Sequence, residues 1–250
     1  MLDLLSRRVK NQKEKMNVVL VPRRADGGYR DQLWKWCAAY WQDCVPWPVY
    51  VGMENSDEPF NRSKAINIAA STIEEPWDVA AIIDADVYAP VMQMTMGAAI
   101  AANYGACIPY RTLAMVDKQQ TLDVLAGKVH HSQVKPLRTF PSKDQPDRHS
   151  VGGLMFVRRD YWDEVGGMDE RFVGWGEEDR AFELVLRTMI GHMPRASGTA
   201  HSLWHPKPPD KNKSSATYRA NAALYAEYQN CARSGGLIDW VKARGNAASF

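Results

Sequence analysis

The stretch Val79-Ala80-Ala81-Ile82-Ile83-Asp84-Ala85-Asp86-Val87-Tyr88 decides how the rest of the chain is read. Its first five residues are apolar without a break, the pattern of a strand covered on both faces. The run stops at two carboxylates spaced i, i+2. In extended backbone that spacing places both side chains on one face. Two like charges held together repel and resist leaving water, and a cation relieves both costs. Hard oxygen ligands with open positions suit Mg²⁺ or Mn²⁺ shared with a phosphate. Aspartate is also common in turns after buried strands, so the pair takes its meaning from its surroundings.

Upstream, residues 17–21 form a second apolar run that ends in a breaker-rich loop carrying Arg23 and Arg24. Leu33, Trp34, Cys37, Ala38 and Trp41 stand at helical spacing over 29–42. Residues 48–52 read as another strand, leading to Glu54 and Asn55; Asn61 or Ser63 then suits the N-cap of a helix through Ile66, Ile68 and Ala69. Downstream, Pro90 opens a helix rich in Met and Ala, and 106–109 make a fourth strand. Strand and helix thus alternate three times. That argues an α/β fold with a mostly parallel central sheet and helices on both faces. Ligands of such sheets bind beyond the carboxyl ends of the strands, where Arg23, Arg24, Glu54, Asn55, Asp84 and Asp86 all fall.

Residues 111–149 are polar and poorly periodic apart from a short helix over 122–125, and read as a long functional loop with His130 and His131 exposed. A strand over 151–157 has glycines at its entry. After a short helix over 159–165 comes Gly174-Trp175-Gly176-Glu177-Glu178-Asp179, opening another helix. Acids in a first turn complement the helix dipole; a tryptophan between glycines marks a close approach. His201-Ser202-Leu203-Trp204-His205-Pro206 precedes a basic segment over 207–215 and a terminal helix over 216–232.

The chain has 250 residues, 45% hydrophobic and 24% charged, which fits one domain over 17–232 between tails at 1–16 and 233–250. The first tail reads as a short basic amphipathic helix or a frayed end. A net charge of +2 argues against a broad nucleic-acid surface. Four cysteines without Cys-x-x-Cys spacing read as reduced thiols. There is no long apolar run or apolar leader, so no transmembrane segment and a cytoplasmic location are expected.

Several pieces, in order, resemble the GT-A glycosyltransferases of the galactosyltransferase kind, both β-1,4-galactosyltransferases and polypeptide N-acetylgalactosaminyltransferases. They are Pro22-Arg23-Arg24, Phe60-Asn61-Arg62-Ser63-Lys64-Ala65-Ile66-Asn67, Asp84-Ala85-Asp86, Gly152-Gly153-Leu154, Gly166-Gly167-Met168-Asp169-Glu170-Arg171-Phe172, Gly174 to Asp179, and a late histidine. The resemblance implies a GT-A (Rossmann-like) fold with a nucleotide-sugar half over 17–110 and an acceptor half over 150–205. It implies transfer of a hexose or N-acetylhexosamine from a UDP-type sugar to an acceptor protein or glycan, with Mn²⁺ or Mg²⁺ as cofactor.

By the same resemblance Asp86 ligates the metal, Asp84 holds metal or ribose, and His205 completes the set with His201 as the alternative. The galactosyltransferases place a methionine three residues before that histidine, where this chain has Ser202, so the choice between the two stays open. Pro22, Arg23, Arg24, Glu54, Asn61, Arg62, Lys64, Ala85, Gly153, Trp175 and Gly176 are the implied nucleotide-sugar contacts. Asp179 matches the general base and Glu178 the residue that orients the acceptor; residues 206–215 match a lid over the donor. Inversion is the expected outcome. The alternatives are retaining transfer of the N-acetylgalactosaminyltransferase kind, a sugar nucleotidyltransferase (which the missing Gly-rich loop after the first strand argues against), and a silent sugar-binding module.

Overall fold

The computed structural model describes residues 16–56, 58–207 and 212–247; the expected N-terminal helix lies outside them. β3 (Val79–Ile83) is buried at every position because it is the middle strand of a five-stranded sheet in the order β2-β1-β3-β8-β5. β1 (Asn17–Arg23) pairs in parallel with β2 (Val49–Met53) and with β3. β8 (Leu154–Arg158) runs antiparallel between β3 and β5 (Ala106–Cys107). Four of the five strands therefore share one direction, and only β8 is reversed.

The parallel strands are joined through α1 (Tyr29–Cys44), α2 (Arg62–Ser71) and α3 (Val91–Tyr104). α1 turns Leu33, Cys37 and Trp41 into the core. α2 lies so close to β2 that a Cβ on Gly52 would overlap the Ala65 carbonyl. Its first turn is capped by Asn61, whose Oδ1 accepts from Lys64 N at 2.9 Å.

A second sheet, in the order β4-β9-β6-β7, stands beside Asp86. It is built from β4 (Val87–Tyr88), β6 (Thr112–Met115), β7 (Arg138–Phe140) and β9 (Thr199–Ser202). Here the sequence reading needs correction, since β6 and β7 lie in the stretch expected to be an irregular loop; the short helix expected there over 122–125 is present and begins earlier, as α4 (Lys118–Leu125). Strands of four and three residues are too short to display a period; Leu113 and Ala114 become core only once β9 is laid beside them. His131 is likewise not an exposed loop residue but packs against Trp36, Tyr40 and Tyr88.

α5 (Arg159–Val165), α6 (Glu178–Ile190) and α7 (Ala216–Arg233) follow as the periodicity suggested. α8 (Leu237–Ala247) does not: it occupies the segment read as a tail, buries Leu237 and Val241, and packs on α5, α6 and α7. All four cysteines are free, and no described helix is long and apolar enough to cross a membrane.

Candidate active site

Residues 84–86 leave β3 as a turn, with Val87 N donating to Asp84 O at 3.0 Å and Asp84 N donating to Gly153 O at 3.0 Å. The expectation that both carboxylates share a face assumed extended backbone, and it fails here. Asp84 Oδ1 accepts from Arg62 Nε at 2.7 Å. Asp86 Oδ2 accepts from Ser202 Oγ at 3.3 Å and stands 3.5 Å from His205 Nε2. Burial raises the Asp86 carboxyl and the charge of Asp84 adds to it, against His205 and Arg30.

The register of β4 on β9 separates the two late histidines. His201 pairs with Tyr88 and Ser202 with Val87, and alternate strand residues point to opposite faces. His201 accordingly stacks on the Tyr88 ring, centroids 4.8 Å apart, while Ser202 reaches Asp86. His205, just past the strand, completes the approach. Its Nδ1 lies 2.7 Å from Pro206 O and 3.0 Å from Arg30 Nη2, a neighbour that no sequence signal singled out. Among the described residues no three His, Cys, Asp or Glu side chains gather around one point. Asp86 and His205 still fit a divalent cation, since Mg²⁺ and Mn²⁺ commonly take few protein ligands and fill the rest with water and substrate phosphate.

The second group of acids comes from the start of α6. Gly174, Gly176 and Glu177 all have positive φ, at 73°, 109° and 74°, and this tight turn points the helix N-terminus at the sheet. For Glu177 that conformation costs about 1–3 kcal/mol, and its carboxylate is held by Arg180 Nη1 at 2.8 Å and the Tyr218 hydroxyl at 3.2 Å. Asp179 Oδ1 accepts from Arg62 Nη1 at 2.6 Å. Arg62, whose side chain is 11% exposed, thus bridges Asp84 and Asp179 and is committed to carboxylates, where the sequence suggested a phosphate.

Oδ2 of Asp179 faces Gly152, where any Cβ would overlap it. The Gly152 carbonyl in turn accepts from the Tyr110 hydroxyl. Burial, then the neighbouring Asp179 charge, pushes Glu178 up to about 8. Burial also raises Asp179, against the pull of Arg62.

The remaining candidates take quieter places. Arg24 binds the buried Glu54 carboxylate, donates to Glu54 O at 2.9 Å and Glu58 O at 2.8 Å, and lies over Phe60. Burial raises Glu54, but hydrogen bonds from Ser56 and Arg24 outweigh it and leave the carboxyl lowered. Arg23 turns to Asp31 and Trp34. Pro22 is buried opposite Gly52, Lys64 is exposed, and Ala85 sits within the turn. Gly153 has φ 91°, a conformation that strains any other residue, while a Cβ there would only touch Val87. Trp175 stacks on Tyr218, centroids 5.4 Å apart, and a Cβ on Gly176 would crowd the same ring. Of the expected lid, residues 208–211 lie outside the described residues.

Two motifs more than a hundred residues apart form a lock beneath these groups. Asn61 Nδ2 donates to Glu170 O at 2.7 Å, and Asn67 bonds Met168 through both its amide N–H and carbonyl, at 2.9 and 3.0 Å. Gly174 N donates to Phe60 O at 3.0 Å. Behind them the buried Asp169 accepts from Arg171 Nη2 and the Tyr228 hydroxyl, each at 2.7 Å, and is ion-paired with Arg244 Nη1 at 3.0 Å, which itself donates to the Tyr228 hydroxyl. Tyr228 and Arg244 come from α7 and α8. Nothing in the sequence pointed to them, because the partnership exists only after both helices dock.

Residues 139–203 match the family described as N-terminal domain of galactosyltransferase. No curated protein sequence matches the chain at a significant level. Among solved structures, glucosyl-3-phosphoglycerate synthase from Mycobacterium tuberculosis is similar at 10% identity, covering 85% of this chain and 80% of that one, with a TM-score of 0.51. The catalytic domain of Drosophila β-1,4-galactosyltransferase 7 gives 18% identity, coverage of 83% and 79%, and a TM-score of 0.48. A variant of that enzyme, solved with manganese, UDP-Gal and xylobiose, gives 16% identity, 73% coverage of this chain and a TM-score of 0.43; this chain spans 64% of its length. The first of these structural likenesses, at a TM-score of 0.51, shows the fold alone: the chain has the GT-A glycosyltransferase fold.

Proposed function

We propose that the chain is a metal-dependent glycosyltransferase that moves a hexose or N-acetylhexosamine from a UDP-type sugar to an acceptor hydroxyl, with inversion at the anomeric carbon. The observation that carries this reading is the pairing of two acidic groups with different duties, Asp86 with His205 and Asp179 with Glu178, on either side of Arg62. Asp86 Oδ2 and His205 Nε2 would hold Mn²⁺ or Mg²⁺. When bound, that ion supplies Lewis-acid stabilisation of the departing diphosphate.

Arg62 occupies Asp179 Oδ1 and so leaves Oδ2 to take the acceptor proton. As the acceptor oxygen bonds to the anomeric carbon, the bond from that carbon to the diphosphate oxygen breaks, its electron pair leaves with the diphosphate, and the proton passes to Asp179. A base placed this way contributes about 10²–10⁴-fold in rate. Glu178, whose carboxyl burial and Asp179 push upward, is favoured in the protonated form, which can donate a hydrogen bond that orients the acceptor. Trp175, stacked on Tyr218 beside this turn, offers an aromatic face to a sugar ring. Four free thiols suit a reducing, cytoplasmic setting.

The test is a thermal-shift titration with UDP-Gal, UDP-GalNAc and UDP-Glc, with and without Mn²⁺. Stabilisation that needs both sugar nucleotide and metal, and that disappears in Asp86→Asn, is the expected outcome. Equal stabilisation of wild type and Asp86→Asn would sink the assignment of the metal site. A product that keeps the donor's anomeric configuration would remove Asp179 as base.

A further inference from the structure

Away from the acids lies a cleft of about 280 Å³ lined by Arg111, His149, Arg195, Ala196 and Ser197, with no carboxylate in its wall. Arg195 is partly buried, and neither it nor Arg111 has an ion-pair partner among the described residues. Glu183, the acid whose field reaches Arg195, is itself paired with Arg187 at 3.1 Å. Burial and the repulsion from Arg111 both lower the Arg195 pKa. Two guanidinium groups facing one space without a counter-ion carry a cost that an oxyanion removes, and the planar fork of arginine matches such oxygens bidentately.

The backbone holds this arrangement in place. Arg111 N donates to Gly198 O at 3.0 Å, His149 Nδ1 lies 3.1 Å from Arg111 O, and Arg195 bridges to Ile108. The cleft also communicates with the acids. Arg195 Nη1 donates to Tyr110 O at 3.1 Å and its guanidinium lies by the Tyr110 ring. At the far end of that ring the hydroxyl donates to the Gly152 carbonyl, and Gly152 faces Asp179. The buried Tyr110 side chain therefore stands between the cleft and the residue against which the base packs.

We propose that the cleft of Arg111, His149 and Arg195 is an oxyanion subsite that seats an acidic group (phosphate, sulfate or carboxylate) carried by the acceptor. The assignment to the acceptor rests on the transferase reading; the anion site itself does not.

The experiment titrates inorganic phosphate into the full chain in the presence of saturating UDP and Mn²⁺, with sulfate and acetate as parallel arms. Expected are one phosphate site that persists when UDP is bound and at least a tenfold weakening in Arg111→Ala and in Arg195→Lys, with UDP affinity unchanged in both. The ranking of phosphate, sulfate and acetate then names the acidic group. Phosphate affinity equal to wild type in Arg111→Ala overturns the proposal, and Arg111 is exposed enough that this variant folds even if Arg195→Lys does not. So does displacement of phosphate by UDP, which would place the anion in the donor site, or the absence of binding by all three anions. A wild-type chain that binds phosphate but neither UDP nor Mn²⁺ sinks the transferase reading and the acceptor assignment with it, while the anion site stands.

Discussion

Asp169 and Asp179 are both largely withdrawn from water and both contact arginine, yet they titrate in opposite directions. At Asp169 burial is outweighed by Arg171, Arg244 and the Tyr228 hydroxyl, and the carboxyl falls to about 2. At Asp179 one arginine, Arg62, is shared with Asp84, and burial wins. The difference is the ratio of donors to acids. The lock gives one carboxylate several donors; the site sets Asp84, Glu178 and Asp179 against Arg62 alone. A region that satisfies its own charges is a foundation. A region left short of positive charge is poised for a cation and a proton.

The comparison breaks most sharply if Asp179 and Asp169 are exchanged in importance. Asp179→Asn should cut transfer by about 10²–10⁴-fold while UDP binding and the melting temperature hold, measured by initial rates and calorimetry. Loss of UDP binding would instead put Asp179 in the donor site. Asp169→Ala should do the reverse, destabilising the fold by about 3–5 kcal/mol because Arg171, Arg244 and Tyr228 lose their common acceptor. Denaturant unfolding reads it, and a loss under 1 kcal/mol would show that the lock is ornamental.

A smaller effect is expected at Gly152. A methyl group there displaces Asp179 Oδ2, and a misplaced base costs about 10²-fold in turnover, seen as a fall in kcat with UDP affinity intact. Unchanged kcat in Gly152→Ala would mean that Oδ2 is not the working oxygen.

The smallest effect is on pH and stability. Asp169 has a folded pKa below its ordinary 3.8, so its contribution is present above that value and is lost as pH falls to about 2. Glu178 has a folded pKa raised from 4.5 to about 8, so its contribution is present below 4.5 and is lost as pH rises toward 8. Glu178→Gln should therefore raise the melting temperature of the metal-free protein by a few degrees near pH 8 and have little effect near pH 4. A variant that melts below wild type at pH 8 would contradict the raised carboxyl.

Much of this was legible in the chain. Short apolar runs bounded by turn residues fit strands covered on both faces, so β1 and β3 and their helices follow from period, length and flanking breakers. Glycines flanking Trp175 announced a tight turn, and Asn61 announced a helix cap. The second sheet was not legible, because β4, β6, β7 and β9 are two to four residues long and a period needs more length than that. Nor was α8, whose Leu237 and Val241 are too few to signal burial until α5, α6 and α7 provide the groove.

What the sequence settled by itself is the supply of chemistry: which acids, histidines and arginines exist, and that strand ends deliver them to one side of a sheet. Only the tertiary structure decided their assignments. The turn at 84–86 split the two aspartates, the β4–β9 register sent His201 to Tyr88 and left His205 for Asp86, and Arg62 was taken by two carboxylates. Such choices depend on which side chains meet across distant segments, and that is a property of packing, which local spacing does not encode.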